Sequence, residues 1–242
     1  MNYTLDYRVN PNHLKRIGSS VFEVEAAWIA KVLGNLPLEQ VSPCLDIGSS
    51  DMAYRTQTQP WIAQQVFEPL ERRGVKIIHT DLKQSPGVDL VADLMSDPDF
   101  DRIRAVQPKT VLCCNILEHV VDRSAFARRL THLVPADGNL ILTVPRSYPY
   151  HEDPIDTGYR PTPQELASLF PDFRIVEGHE FEAGSYRDQI AVAPVRRLAR
   201  HVIRLLLPFV NYNGWRQSAE RITYLFRPYR VSCLLLSKHS TS

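Results

Sequence analysis

The densest run of chemistry-bearing residues is "VPRSYPYHEDPIDTGYRPTP", residues 144–163. His151, Glu152, Asp153 and Asp156 stand here between Arg146 and Arg160. An imidazole near its ordinary pKa suits proton removal at neutral pH, so His151 is the first candidate general base. Guanidinium groups pair with carboxylate or phosphate, so Arg146 and Arg160, with Asp156 in the same wall, are candidate substrate-binding residues. The prolines spaced through the segment stiffen it and lower the entropy lost on holding those side chains. The His-x-Asp-x-x-Asp spacing resembles a metal set. One histidine with carboxylates is a poor zinc set, and magnesium rarely needs a histidine, so no metal is expected.

Two further groups of polar residues follow apolar runs. In "CCNILEHVVD" (113–122) an apolar run ends at Asn115, with Glu118 and His119 directly beyond. His119 is the second candidate base and Glu118 a candidate substrate contact; a histidine that only packs is the alternative. In "CLDIGSSDMAYR" (44–55) an apolar run ends in Asp46 and Gly48, then Ser49 and Ser50. Gly48 permits a sharp turn, and the exposed N–H groups of such a turn suit a negatively charged ligand group. A pyrophosphate would want more glycines for close backbone approach, whereas a carboxylate asks less. The turn therefore suits an amino-acid carboxylate better than a dinucleotide, with a plain turn as the alternative. Asp81 ends its own apolar run where an acid accepts hydrogen bonds from a ribose diol, although an ordinary solvated aspartate would look the same.

The elements that must position these groups are short apolar runs alternating with helical stretches. Strands are expected at 41–48, 75–82, 88–94, 109–117, 138–145, 173–181 and 229–238. A helix is expected over 20–33, with Ser20 and Glu23 at capping-box spacing and Gly34 as a stop. Others are expected over 123–134 and from 162, where Thr162 caps and Pro163 opens the helix. The alternation predicts an α/β fold, a mostly parallel sheet with helices on both faces. Ligands of such sheets bind at the carboxyl ends of the strands.

The order and spacing of Leu45-Asp46-Ile47-Gly48, Asp81, Ala92-Asp93-Leu94, Leu117-Glu118-His119-Val120, Val144-Pro145 and His151 through Pro163 resemble the class I S-adenosylmethionine-dependent methyltransferases. Within them the chain looks like a small bacterial branch with "LEHV" after the fourth strand. The resemblance covers roughly residues 20–182 and the final strand. It implies a Rossmann-like seven-stranded sheet, mostly parallel with an antiparallel last strand. It also implies S-adenosyl-L-methionine as cofactor. By similarity the turn from Asp46 through Gly48, Ser49 and Ser50 holds the methionine part and Asp81 the ribose hydroxyls. Asp93 with Leu94 flanks the adenine, and Asn115 lines the methyl side. Ser50 and Met52 depart from the family, which often has glycine there.

Residues 1–242 are expected to form one such domain, with a helical extension over 1–40 and an insert over 194–228. The insert is rich in arginine. On a helical wheel Arg196, Arg197, Arg200 and Arg204 share one arc, with Val195, Leu198, Val202, Leu205 and Leu206 opposite. Such a helix over 195–210 suits an anionic membrane surface. The alternative is a cap whose apolar side meets the core or a second subunit of a homodimer. A net charge of +1 selects no polyanion, and Asn115 is not followed by a Pro-Pro-aromatic run, so nucleic acid is not an expected partner. No secretory pattern opens the sequence and no apolar run approaches the ~20 residues of a spanning helix. Four cysteines lie in apolar runs without Cys-x-x-Cys spacing, as expected of reduced core thiols. These features predict a cytoplasmic enzyme, peripheral at the inner membrane face in the membrane reading. It would O-methylate a small molecule or a lipid-linked glycan. A non-catalytic methyltransferase-like module is the alternative. A nicotinamide oxidoreductase is disfavoured by the missing G-x-G-x-x-G turn.

Overall fold

The computed structural model describes residues 21–151, 155–191, 199, 202–203, 205, 209–210 and 212–239. Seven strands form one sheet in the order β3-β2-β1-β4-β5-β7-β6. They are β1 (Cys44–Ile47), β2 (Ile77–Asp81), β3 (Leu90–Val91), β4 (Thr110–Cys114), β5 (Asn139–Ser147), β6 (Phe173–Glu182) and β7 (Arg230–Lys238). Strands β1 to β5 pair in parallel, and β7 runs antiparallel to both β5 and β6. The central strands are buried along almost their whole length, as their largely apolar composition requires.

Helices cover both faces. On one side α1 (Glu23–Asn35) and the segment through Ile62–Phe67 bury Trp28, Ile29, Val66 and Phe67 against β1, β4 and β7. On the other, α4 (Asp97–Arg104), α5 (Arg123–Leu133) and α6 (Pro163–Ala167) bury Ile103, Leu130, Leu166 and Phe170. Shorter helices are α2 (Leu38–Val41), α3 (Glu68–Arg72) and α7 (Tyr186–Ala191), and α8 (Tyr212–Thr223) lies within the insert. The segment between β1 and α3 contains two π-helical stretches, Tyr54–Thr58 and Ile62–Phe67, separated around Gln59 and Pro60.

Several local expectations shift. The cap of α1 is Phe22, two residues beyond the expected Ser20. Glu25, not Glu23, reaches back to the Phe22 N–H at 2.9 Å. Gly34 lies inside α1, which runs on to Asn35, and Pro37 follows. The strand expected over 88–94 shrinks to Leu90–Val91, because only that stretch pairs with β2. Helix α4 had no counterpart in the sequence reading, since its first turn, Asp97-Pro98-Asp99, resembles a loop. Thr162 caps α6 as expected, accepting from the Glu165 N–H at 3.2 Å. Ser20, the four arginines 196, 197, 200 and 204, and residues 152–154 lie outside the described residues.

Candidate functional site

The strand order reverses beside β1, between β1 and β4, which opens a crevice at their carboxyl ends. The turn after β1 walls one side. Gly48 has φ +71° and Ser50 has φ +56°. The φ of Gly48 favours glycine, and an added Cβ would also lie 2.6 Å from Ile116 Cδ1, which would have to move. The Gly48 and Ser49 N–H groups donate to Thr80 O on β2, and the Ser50 N–H donates to Asp81 Oδ2 at 2.9 Å. Asp81 Oδ1 accepts from the Lys83 N–H. Each oxygen keeps a free lone-pair direction for a diol.

Two residues hold this turn in place of the missing glycines. The buried guanidinium of Arg55 donates to Ser49 O, Ser50 O and Gly87 O at 2.6–2.9 Å. Gly87, at φ +82°, comes so near that a Cβ there would lie 2.7 Å from Met52 Cβ. Neither was singled out in the sequence. The Pro86-Gly87 pair was the available signal, a turn dipeptide facing the Asp46–Ser50 segment.

The β4 side of the crevice is Asn115, also in the left-handed region at φ +52°. Its Nδ2 donates to Glu25 Oε1 at 2.9 Å, and its Oδ1 is buried without a hydrogen-bond partner. Glu25 accepts in addition from Thr143 Oγ1 at 2.5 Å and from the Phe22 N–H. Burial pushes the Glu25 carboxyl up to about 7, against the lowering effect of those donors. Glu25 therefore ties α1 to the tips of β4 and β5. The sequence signal was a carboxylate among the buried residues of an apolar helix face.

The structure separates the other expected cofactor contacts. The Asp46 carboxylate points at His79 Nδ1, 2.9 Å away, with His79 edge-on to Phe67. Asp93 Oδ1 accepts from the Met95 N–H, and Leu94 is buried in the main core, so only its backbone is left to face the rim. A cavity of about 50 Å³ behind the turn is lined by Asp46, Gly48, Ser49, Tyr54 and Cys114 among others.

Beyond Asn115, the turn Leu117–His119 meets the loop from Tyr148 to Arg160. Glu118 O accepts from the Thr157 N–H and Oγ1, both at 2.8 Å, which clamps the two segments. The Glu118 side chain is fully buried and neither carboxylate oxygen has a hydrogen-bond partner. Burial pushes this carboxyl up to about 8. His119 Nδ1 lies 2.5 Å from Ile155 O. A carbonyl only accepts, so Nδ1 carries the proton and Nε2 presents its lone pair, 3.7 Å from Glu118 Oε1. The His151 ring stands perpendicular to that of His119 at 5.2 Å, and its Nδ1 is 3.2 Å from Asp156 Oδ2. Burial lowers the His151 pKa despite Asp156. One donor atom from each of Glu118, His119 and His151 lies within 4.8 Å of the other two. The second histidine that the sequence spacing lacked thus comes from another segment.

Arg160 grips Asp156 through both guanidinium nitrogens, at 3.0 and 2.6 Å. Burial opposes the charge on Asp156, but the hydrogen bonds from Arg160 and from the Gly158 and His151 N–H groups hold its carboxyl below the usual range. Arg160 also lines a cleft of about 600 Å³ with Tyr148, Tyr150, Trp215, Arg216 and Glu220. Arg146 points elsewhere. It donates to Arg160 O and pairs with Glu180, in a groove with Arg227 and Arg230. The two arginines expected to share a substrate therefore face different depressions.

No family model and no curated protein matches the chain. Solved structures do. MccD protein superposes with a TM-score of 0.50 at 13% identity, over 88% of this chain and 96% of that one. Mycolic acid cyclopropane synthase CmaA1, complexed with SAH and CTAB, also reaches 0.50, at 12% identity over 96% and 95%. The fold is the Rossmann-like methyltransferase fold. In that fold the β1–β4 crevice and the histidine-bearing loops lie on one rim of the sheet.

Proposed function

We propose that the protein transfers the methyl group of S-adenosylmethionine to an oxygen of a small-molecule or glycan acceptor. The observation that carries this is the β1–β4 crevice. There a left-handed turn follows β1, the Asp81 carboxylate ends β2, and Asn115 at the tip of β4 keeps a buried Oδ1 without a hydrogen-bond partner. Asn115 Oδ1 suits the ammonium of an amino acid, the Ser50 hydroxyl its carboxylate, and Asp81 a ribose diol. CmaA1, which shares the fold, was solved with SAH, the product that remains when S-adenosylmethionine gives up its methyl.

The bound sulfonium supplies an electrophilic methyl, so the chain must place a nucleophile in line and take its proton. The Glu118–His119–His151 cluster receives the proton. The adjoining cleft holds the rest of the acceptor, with Tyr148, Tyr150 and Trp215 as apolar walls and Arg216 and Glu220 as polar contacts. Its volume of about 600 Å³ is that of a site for a small molecule or one or two sugar rings.

Calorimetry with SAH tests the first half. One molecule should bind per chain, and Asp81→Ala should weaken binding about tenfold or more. No binding by the folded protein would leave a non-catalytic module as the better reading. Transfer of labelled methyl to a panel of hydroxylated metabolites and sugars tests the second half. His151→Ala should lower turnover on the order of 10²–10⁴-fold with SAH affinity unchanged; unchanged turnover would remove the cluster from the chemistry.

A further inference from the structure

We propose that Glu118, His119 and His151 bind one divalent transition-metal ion, with zinc the ion their donor set suits best. Two imidazoles and one carboxylate are a catalytic type of set, three protein ligands with a position left open. Among the described residues their donor atoms form the one group within 4.8 Å of one another. Around a tetrahedral ion with ligands at about 2.1 Å, donors sit roughly 3.4 Å apart, so the widest gap closes by up to about 1.4 Å. His119 Nε2 and Glu118 Oε1 already stand 3.7 Å apart.

Three independent features point to a ligand. Both oxygens of the fully buried Glu118 lack a hydrogen-bond partner, and so do both ring nitrogens of His151. Buried polar atoms in such number are costly unless something binds them. His119 is also held from behind by Ile155 O, and Asp156, whose Oδ2 accepts the His151 backbone N–H, stands 3.2 Å from His151 Nδ1. Partners of this kind fix the ring and its tautomer in metal sites. Asp156 is itself locked by Arg160, so the support extends one residue further.

On the methyl-transfer reading, the open position would take the acceptor's oxygen. A coordinated hydroxyl would give up its proton easily to solvent water in the open cleft, and His151 would then serve as a ligand rather than as the base. Metal binding itself does not depend on that reading.

The full chain, purified and stripped with chelator, is titrated with zinc by calorimetry and with cobalt by visible absorption. One equivalent should bind. His119→Ala, His151→Ala and Glu118→Gln should each weaken binding at least 100-fold. Asp156→Asn, behind His151, should weaken it about 10- to 100-fold. His132→Ala, an exposed histidine on α5, should leave it unchanged. Circular dichroism identifies any variant that fails to fold, and His151, on a loop, gives the variant least exposed to that failure. The proposal is overturned if folded wild-type protein binds neither ion stoichiometrically, or if the ligand variants bind as well as His132→Ala. SAH titrations on the same samples separate this failure from failure of the methyltransferase reading.

Discussion

At the scale of single residues, Glu25 is the group whose burial makes the sharpest claim. Its carboxyl sits at about 7 when folded and near 4.5 when unfolded. The folded state therefore binds the extra proton between those values. The sign follows from linkage. Stability from this group is fully present below about pH 4.5, falls as pH rises, and is gone above about 7. A shift of this size corresponds to about 2–4 kcal/mol. Glu25→Gln keeps the shape and removes the titration, while Asn115, with its unpaired Oδ1, can turn its amide to suit. Urea unfolding from pH 4.5 to 7.5 should show a loss of stability in the wild type that the variant lacks. Identical slopes would mean that Glu25 titrates alike in both states. The same residue marks where the sequence was readable at this scale and where it was not. Asp81, Asn115, Glu118 and His119 stand out as polar residues at or beyond the ends of apolar runs, and His151 as part of a dense polar loop. Glu25 and Arg55 are hidden because their partners, Thr143 and Gly87, are distant in the chain, and spacing along the chain carries no record of such contacts.

At the scale of elements, the turn after β1 replaces glycines with an arginine clamp. The claim is testable at Gly87, whose φ of +82° and crowded surroundings both favour glycine. Gly74 has the same φ, +83°, but nothing within 4 Å of an added Cβ. Alanine at position 74 should cost only the conformational strain, about 1 kcal/mol. Alanine at position 87 must also push Met52 or the Arg55 guanidinium, a further ~1–3 kcal/mol. It should also weaken SAH binding, because Arg55 sets the Ser49 and Ser50 carbonyls. Equal losses in denaturant unfolding for the two variants would show that the clamp tolerates displacement. Strand existence was legible throughout, since buried parallel strands are continuous apolar runs. Strand length was not. "VDLVADL" is apolar enough for seven residues, yet only Leu90–Val91 finds a partner, because β3 is the sheet edge. The capping signal of α1 was displaced for a similar reason. Ser20 and Glu23 have the right spacing, but burial of Glu25 against β4 and β5 fixes where the helix starts.

At the scale of the whole molecule, the insert before β7 leaves apolar side chains in solvent. Phe209 is fully exposed and Phe226 93% exposed, and Val210, Val202 and Ile203 are also open. Monomeric soluble proteins rarely leave so many large apolar groups on one segment. Val202, on the apolar side of the expected basic helix, is itself half-exposed. No helix of the described residues is long and apolar enough to cross a membrane. We propose a surface contact, in which Arg196, Arg197, Arg200 and Arg204 would meet anionic headgroups at about 1 kcal/mol each and the exposed rings would enter the interface. The protein should pellet with phosphatidylserine-containing vesicles at low salt, and much less with pure phosphatidylcholine. Phe209→Ser with Phe226→Ser should reduce pelleting several-fold, as should raising the salt, while SAH binding stays unchanged. If low-salt vesicles capture nothing and sedimentation instead shows a dimer that these substitutions break, a second copy of the chain covers the patch. The acceptor would then be sought among free metabolites rather than lipid-linked glycans, because only a surface-bound enzyme gains by meeting its acceptor in two dimensions.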